Sequence, residues 1–591
     1  MIPKLHRGGI KPASTGRLGF HLTDLTKIKN KQMKQIKSTF KAFIILIGIA
    51  SIFTACEPPT NWELANENKD LLRVSTIFTA GTVRDKLSSE SGLDSAIAWC
   101  KDVGVTRVFI ESFRGYTAER DVLLNAKRRF EEAGIEASGC VTTVRFGKQS
   151  TGWDLIACYT NEQTRKELKE IFEYTASMFD MIMIDDFLFT DCECEECLEA
   201  CGEQNMSDYR CDLMNMISQE YILKPARAVN PNVKIINKFP QWYDRFHVRG
   251  YEVLGQTEMY DYIWVGTETR DNDFTDRSAS LNDPQYMAYF IMRWLTDIGG
   301  DKTGGGWFDA LGTTTNTYLE QARQTVLADA REMMLFSYGG LIRETNTYNN
   351  RKGTGIANTE ALKVELPELF KLAKLIDNKP IKGILAPKPA NSDPHSQYDS
   401  TRIFSGDDAD AFIYNFVGML GLPLVPKNQI DMDAKAAFFP IQNLKDPEFH
   451  NKLDKFLSDG KPVLVTDGMA HHIENADQND NLHILNVNVD PINLLEFSRE
   501  ELNAIRDKML KPFGMHFDAP SMVSLYLMGD DLIIIENFRD EPVAVTLETE
   551  FSMDPKIALT LPASEALEKE FSNNTLFFKK LPPRSLVAIV H

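Results

Sequence analysis

From Leu72 to about Ile376 the sequence switches eight times between short β-branched or apolar runs and longer stretches with helical spacing. The strand-like runs are LRVSTIFTAG, TRVFIESF, IEASGCVTTV, MIMIDDFLF, VKIINKF, YDYIWVGTET, GGGWFDALG and MMLFSYGGLI. Between them lie amphipathic stretches such as LDSAIAWCKDVG, ERDVLLNAKRRFEEAG, TRKELKEIFEYTASMF, MAYFIMRWLTDIG and TYLEQARQTVLADA. Alternation of this kind favours a parallel sheet, and eight strand-helix units over about 300 residues suit closure into a (β/α)8 barrel. The fold class is therefore α/β, with a TIM barrel over residues 72–378.

A chain of 591 residues exceeds what one core normally holds. After the helix near Leu362 to Ile376, the stretch DNKPIKGILAPKPANSDPHS is rich in Pro, Asn and Ser and reads as a linker. The runs AFIYNFVGMLGLPLV, AKAAFFPI, HNKLDKFLSDGKPVLVTDG and HILNV then suggest a smaller doubly wound α/β domain over residues 379–512. From about Phe513 only strand patterns remain, which predicts a small C-terminal β-sandwich over 513–591.

The segment MKQIKSTFKAFIILIGIASIFTAC joins a Lys-rich lead to an apolar run from Ala42 to Phe53, with Phe-Thr-Ala before Cys56. It resembles a bacterial lipoprotein signal, in which the cysteine is lipidated and becomes the mature N-terminus. The alternative, a membrane-spanning anchor, is disfavoured because the run is too short to cross a bilayer comfortably. Residues 1–55 are thus read as a signal region with Met33 as the true start, and residues 56–71 as a tether. The implied location is the cell envelope, with the folded part held at a membrane on its periplasmic or surface face. Residues 1–55 carry ten Lys and Arg against one Asp, so without them the formal charge falls from -19 to -28. No block of Lys and Arg follows, which excludes a protein that grips nucleic acid through its phosphates.

Eight of the nine cysteines lie between Cys100 and Cys211, and Cys192, Cys194, Cys197 and Cys201 form C-x-C-x2-C-x3-C. Sulfurs this close on a turn can converge on a tetrahedral zinc ion, with Cys201, Cys211 or the more distant Cys158 as candidates for the fourth ligand. Disulfides are the alternative in an exported protein, although positions 192 and 194 are poorly placed to bridge each other. All-thiolate ligation leaves no open position, so such a metal would hold a loop rather than react. Nothing calls for an organic cofactor.

In a barrel of this kind the active site lies at the C-terminal strand ends. There the sequence offers Glu111, the Asp185-Asp186 pair, Glu268, Asp309 and Glu344. Side chains alternate along a strand, so only one of Asp185 and Asp186 should face the pocket unless the strand has already ended. Trp153, Trp242, Tyr243, Trp264 and Trp307 stand nearby; core packing is the reading for Trp264 and Phe189, whereas Trp242, Tyr243 and Trp307 sit where an aromatic face could stack on a sugar. Paired acids flanked by aromatics are the equipment of glycoside hydrolysis.

With these residues in place the chain resembles glycoside hydrolase family 42. Members combine a (β/α)8 barrel, an amidotransferase-like, flavodoxin-type α/β domain used in trimer formation and a small C-terminal β domain. The resemblance places Asp185-Asp186-Phe187-Leu188 where the family has Asn-Glu-Tyr-Gly at the end of strand four, with a zinc-binding C-x-C-x2-C close behind. It puts Asp309 in WFDALG at the position of the nucleophile on strand seven, and it implies Cys158 rather than Cys201 as the fourth zinc ligand. The 380–510 stretch has no cysteine, so it cannot perform glutamine amidotransferase chemistry whatever its fold.

The reading is an exported, lipid-anchored glycoside hydrolase acting on poly- or oligosaccharides, a homo-oligomer by analogy. Asp186 is expected as general acid, Asp309 as nucleophile or base and Glu268 as the substitute for either, with Asp185 and Glu111 positioning substrate alongside Trp242, Tyr243 and Trp307. A variant makes Asp185 or Asp186 the nucleophile and Glu268 the acid. The alternative function is a surface glycan-binding lipoprotein whose barrel has lost catalysis.

Overall fold

The structure, a computed structural model, describes residues 58–270, 284–348, 351–392, 410–488, 490–563 and 567–591. The expected signal region, Met33 and the expected lipidation site at Cys56 lie outside the described residues. Eight parallel strands close a barrel: β1 (Arg73–Phe78), β2 (Arg107–Arg114), β3 (Glu136–Thr142), β4 (Met181–Ile184), β5 (Lys234–Phe239), β6 (Tyr262–Gly266), β7 (Thr303–Asp309) and β8 (Glu332–Phe336). The last pairs with the first through Arg73 opposite Glu332 and Thr76 opposite Leu335.

Each strand sends one side chain into a shared interior layer: Ile77, Phe109, Cys140, Met183, Ile236, Trp264, Trp307 and Met334. The layer closes the barrel to water, as period-two alternation requires of strands with helices outside and side chains within. Its two indoles need room. A Cβ on Gly304 would lie 2.6 Å from Trp264 Nε1 and one on Gly305 3.0 Å from its ring, so the glycine run of β7 is there to admit Trp264. This agrees with Trp264 as a core residue.

Residues 60–71 depart from the expected tether. Asn61–Asn68 is a helix whose Thr60 and Glu63 form a reciprocal capping box, two side chains that satisfy otherwise orphaned N–H groups at its start. Ala65 is buried against the barrel helices, and a side chain on Gly104 would strike Asn61 O at 2.9 Å. The Thr-x-x-Glu spacing was the available signal for this helix.

The Pro-rich stretch read as a linker also carries structure. Ile381–Lys382 opens an edge of the C-terminal sandwich, and Ile384–Pro387 is the second strand of a parallel five-stranded sheet ordered Leu424–Lys427, Ile384–Pro387, Ala437–Phe439, Val463–Thr466, Leu482–Leu485. A strand first in the chain and second in the sheet marks a doubly wound arrangement. The C-terminal region stacks a five-stranded and a four-stranded antiparallel sheet around Phe517, Leu525, Ile535, Val545, Leu547 and Phe578.

Candidate active site

Two residues beyond the apolar layer, polar groups follow it at five places, four on strands and one in the turn after β4: Glu111 above Phe109, Thr142 above Cys140, Asp185 above Met183, Lys238 above Ile236 and Asp309 above Trp307. Glu268 joins them from the loop after β6. A register shift between Glu111 and Phe113 in β2 lets Arg114 fold back onto Glu111 at 2.9 Å and reach Asp185 at 2.6 Å. The Thr142 hydroxyl lies within reach of both acids, and the Ala80 amide donates to Glu111.

β4 ends at Ile184, so the turn that follows brings both aspartates to this face. Asp185 is buried and accepts from the Asp186 amide at 2.8 Å. Asp186 remains partly open, its side chain 18% exposed, and its Oδ2 accepts from Lys238 Nζ at 3.0 Å. The same ammonium donates to Glu268 Oε1 at 2.8 Å and rests 4.2 Å from the centre of the Trp307 ring. Two bonds of 3.0 and 2.8 Å cannot hold those carboxylate oxygens more than about 5.8 Å apart. Among the described residues Glu268 Oε2 has no hydrogen-bond partner, and it fills the space that a Cβ on Gly266 would take.

Burial pushes the Asp186 carboxyl up to about 7, with Lys238 opposing the rise and Asp185 and Glu268 adding to it. For Asp185 burial acts in the same direction, but Arg114 and Lys238 outweigh it and hold the carboxyl below its ordinary value. Burial works against the Lys238 ammonium, yet Asp186, Glu268 and Asp185 raise it above the usual lysine value. One acid poised near neutrality beside another, Asp185, kept ionised is the electrostatic condition for general acid catalysis.

Several expected residues occupy other places. Asp309 is buried and bound to Arg270 at 2.8 Å, with its second oxygen accepting from the Leu311 amide, so neither of its oxygens is left unengaged to attack a sugar. Glu111 and Asp185 are too deep to meet a sugar directly and instead hold Arg114, which is the partly exposed member of that trio. Tyr243 is 1% exposed and donates to Asn415 of the α/β domain at 2.6 Å, so it ties two domains together rather than facing substrate. Trp307 is also buried, as the floor under Lys238. Trp242 is half-buried, edge-on to Phe189 at 5.3 Å. An exposed aromatic of this rim is Trp153, 46% accessible and packed against Phe187 and Phe189. Glu344 lies exposed, well past the end of β8. Lys238, Arg114 and Arg270 escaped the sequence reading; the signal was a cation at the inward or last position of a strand in VKIINKF and ESFR, and one just past a strand end in TETR.

Residues 60–368 match the family described as "Probable glycosyl hydrolase, catalytic domain". The chain belongs to this family. The chain is also 28% identical over 306 residues to an uncharacterized protein of Saccharolobus solfataricus, an alignment covering 46% of this chain and 49% of that one. The chain therefore spans about half the length of this curated relative. Among solved structures, α-L-fucosidase isoenzyme 2 of Paenibacillus thiaminolyticus superposes with a TM-score of 0.56 at 11% identity, over 88% of this chain and 99% of that one. An exo-carrageenase of family GH42 from Bacteroides ovatus gives a TM-score of 0.45 at 10% identity, over 88% of this chain and 79% of that one. At such identities the first likeness speaks for the fold alone, and the second is too slight to carry an argument.

Directly behind the Asp185-Asp186 turn of the glycosyl hydrolase domain, the sulfurs of Cys158, Cys192, Cys194 and Cys197 all lie within 4.8 Å of one another. Three of the separations are 3.5, 3.7 and 3.8 Å, close to the roughly 3.8 Å edge of a tetrahedron of thiolates around zinc. Lys148 Nζ at 3.2 Å from Cys194 Sγ and the Thr160 hydroxyl at 3.1 Å from Cys197 Sγ supply donors that suit thiolates. Burial would raise the Cys194 thiol, but the Cys197 amide and Lys148 outweigh it and bring it down to about 6. Cys201 and Cys211 turn instead to the carbonyl oxygens of Gln204 and His247, and no described cysteine is in a disulfide. Asp191, next to Cys192, accepts from Ser150, the Trp153 amide and Arg249, so the loop of the cluster and the loop bearing Trp153 are fastened together.

Proposed function

We propose that the protein is a retaining glycoside hydrolase in which Asp186 is the acid/base and Glu268 the nucleophile. The observation that carries this reading is the pairing of the two carboxylates on one lysine, which keeps the two bonded oxygens within about 5.8 Å of each other, whereas inversion sets its carboxyl groups roughly 6.5–9.5 Å apart to admit a water. Asp186 suits the acid because it is the more open of the two and its proton is held near neutral pH. Glu268 suits the nucleophile because Oε1 is fixed by Lys238 while Oε2 is left unengaged. In the first step Glu268 Oε2 bonds to the anomeric carbon as the glycosidic bond breaks, and Asp186 protonates the leaving oxygen. In the second, water attacks the same carbon, gives its proton to Asp186 and frees Glu268.

A zinc ion held by Cys158, Cys192, Cys194 and Cys197 belongs to this proposal, as a brace for the turn that presents Asp186. A distant kinship with family 42 rests on that cluster behind strand four, and an amidotransferase-like ancestry for the α/β domain belongs to the same comparison. Export and lipid anchoring at Cys56 complete the reading, supported by the basic, apolar and Phe-Thr-Ala-Cys pattern of residues 33–56. Labelled palmitate incorporated by the wild type and lost in Cys56→Ser would test it.

The decisive experiment uses aryl glycosides, chosen by a screen that also includes plant and host polysaccharides. Glu268→Ala should lose turnover and regain it with azide, yielding a glycosyl azide of configuration opposite to the substrate. Asp186→Ala should keep far more activity on dinitrophenyl leaving groups, which need no proton, than on poor ones. Glycan binding with no hydrolysis by the wild type would establish a binding module instead.

A further inference from the structure

We infer that Lys238 is the fixed counter-cation of the reaction, a positioning residue that stays paired with whichever of Asp186 and Glu268 carries the negative charge while the other is neutral. The inference rests on the retaining reading above and goes beyond it, since it concerns a residue that neither forms a bond to the sugar nor transfers its proton.

The geometry leads to it. Lys238 is buried on β5, between an acid presented by β4 and one presented after β6, and the Trp307 ring closes the space beneath its ammonium. A desolvated ammonium is costly unless it is paired, and here each of two opposed carboxylates can serve. In the free enzyme Asp186 holds its proton and Glu268 is the carboxylate. Forming the Glu268–anomeric carbon bond turns Glu268 into a neutral ester, and breaking the glycosidic bond takes the proton from Asp186, which becomes the carboxylate. The negative charge has crossed from one side of Nζ to the other and the cation has not moved. Hydrolysis of the ester by water returns both groups to their first state, so protons and charge balance over the cycle. The remaining cations nearby are committed elsewhere, Arg114 to Glu111 and Asp185 and Arg270 to Asp309. A preorganised charge of this kind costs no reorganisation at the moment of reaction.

The charged and titratable groups facing Asp186 are Asp185 on its own turn, Lys238 from β5, Glu268 from the β6 loop, and Tyr251, whose hydroxyl donates to the Asp186 carbonyl oxygen at 2.9 Å. Of these only Lys238 is a cation, so replacing it by a neutral side chain should make the Asp186 proton harder to remove. In Lys238→Met the alkaline limb of kcat/KM against pH should move up by about 1–3 units, as expected when an opposite charge within hydrogen-bond distance is lost. Lys238→Arg should return the limb to near its wild-type position. A side chain that merely supports the fold would lower the amplitude and leave the limb in place; that result in Lys238→Met overturns the inference. Should the methionine variant not fold, Lys238→Gln is read the same way. In the wild type, a 2-fluoroglycosyl ester on Glu268 should lower the titration of the Asp186 carboxyl in 13C spectra, because the repelling charge is gone and the cation remains; an unchanged or higher value also overturns it. A glycosyl azide from Glu268→Ala with an unmoved limb in Lys238→Met removes this inference alone, whereas no glycosyl azide removes the retaining reading beneath it.

Discussion

Two clusters of buried acids and cations occupy opposite sides of the barrel wall. One is the mouth, with Asp186, Glu268 and Lys238. The other is the seam between the barrel helix Thr315–Leu327 and the C-terminal sandwich, where Arg323 grips Glu365 at 2.5 and 2.6 Å, Arg584 grips Glu320 at 3.0 and 3.1 Å, and Gln324 and Tyr526 donate to Glu536. Both hold a carboxyl far from its ordinary value: burial pushes Asp186 up to about 7 and Glu536 up to about 8. The difference is access. Glu536 is 1% exposed and enclosed by two domains, whereas Asp186 opens onto a rim with an exposed tryptophan. A displaced pKa therefore marks desolvation, and chemistry needs a path for substrate as well.

The comparison should break most sharply in paired substitutions. Glu268→Gln is expected to lower kcat/KM by about 10³ or more with little change in Tm, because the nucleophile is lost while Lys238 keeps Asp186 as partner. Arg584→Met should do the reverse, costing about 3–5 kcal/mol of stability by stranding Glu320 while kcat per folded molecule stays at the wild-type value. Denaturant melts and steady-state rates on the same preparations check both.

The pH dependence of stability sharpens it further. Glu536 is protonated in the fold up to about 8, well above the value a glutamate has when unfolded, so between those values the unfolded chain binds fewer protons than the native one. Stability contributed at this site is present at low pH and is lost as pH rises through that window, by a slope on the order of 1 kcal/mol per unit. Glu536→Gln, which keeps an amide able to bond with Tyr526, should flatten the decline of Tm between pH 5 and 8 without shifting the pH–rate profile. Thermal melts across that range against the wild type supply the measurement; an equally steep decline in the variant would mean that Glu536 is ionised in the fold.

Period was the part of this molecule that the sequence displayed openly. Eight alternations of strand and helix spacing imply a parallel sheet with both faces covered, and the count of eight units over about 300 residues favours its closure into a barrel. The cysteine spacing likewise singled out Cys192, Cys194 and Cys197, although the preference for Cys158 over Cys201 and Cys211 as their partner came only from a family resemblance. Position along a strand is legible, but depth is not. Tyr243 and Trp307 stand at strand ends like Trp242, yet one is sealed by Asn415 of a domain far along the chain and the other by Lys238 above it. Asp309 is closed off by Arg270, thirty-nine residues away. Lys238 was passed over because carboxylates were the residues sought, although the inward position two residues past Ile236 was available to the same alternation that located Asp185.

Depth also ranks the aromatics, with the smallest effects. Trp153 is exposed, on a loop fastened to the cysteine cluster through Asp191, and its ring lies against Phe187 beside the Asp186 turn. Trp153→Ala should therefore raise KM by about 2–10-fold, the equivalent of a stacking contact of about 0.5–1.5 kcal/mol, with kcat little changed. Tyr243→Phe removes one buried hydrogen bond to Asn415 and should cost about 1 kcal/mol of stability at unchanged KM. If the tyrosine variant instead raised KM and the tryptophan variant did not, the rim would lie on the α/β-domain side of β5 and not over β3 and β4, and the sugar would have to approach Asp186 from the opposite direction.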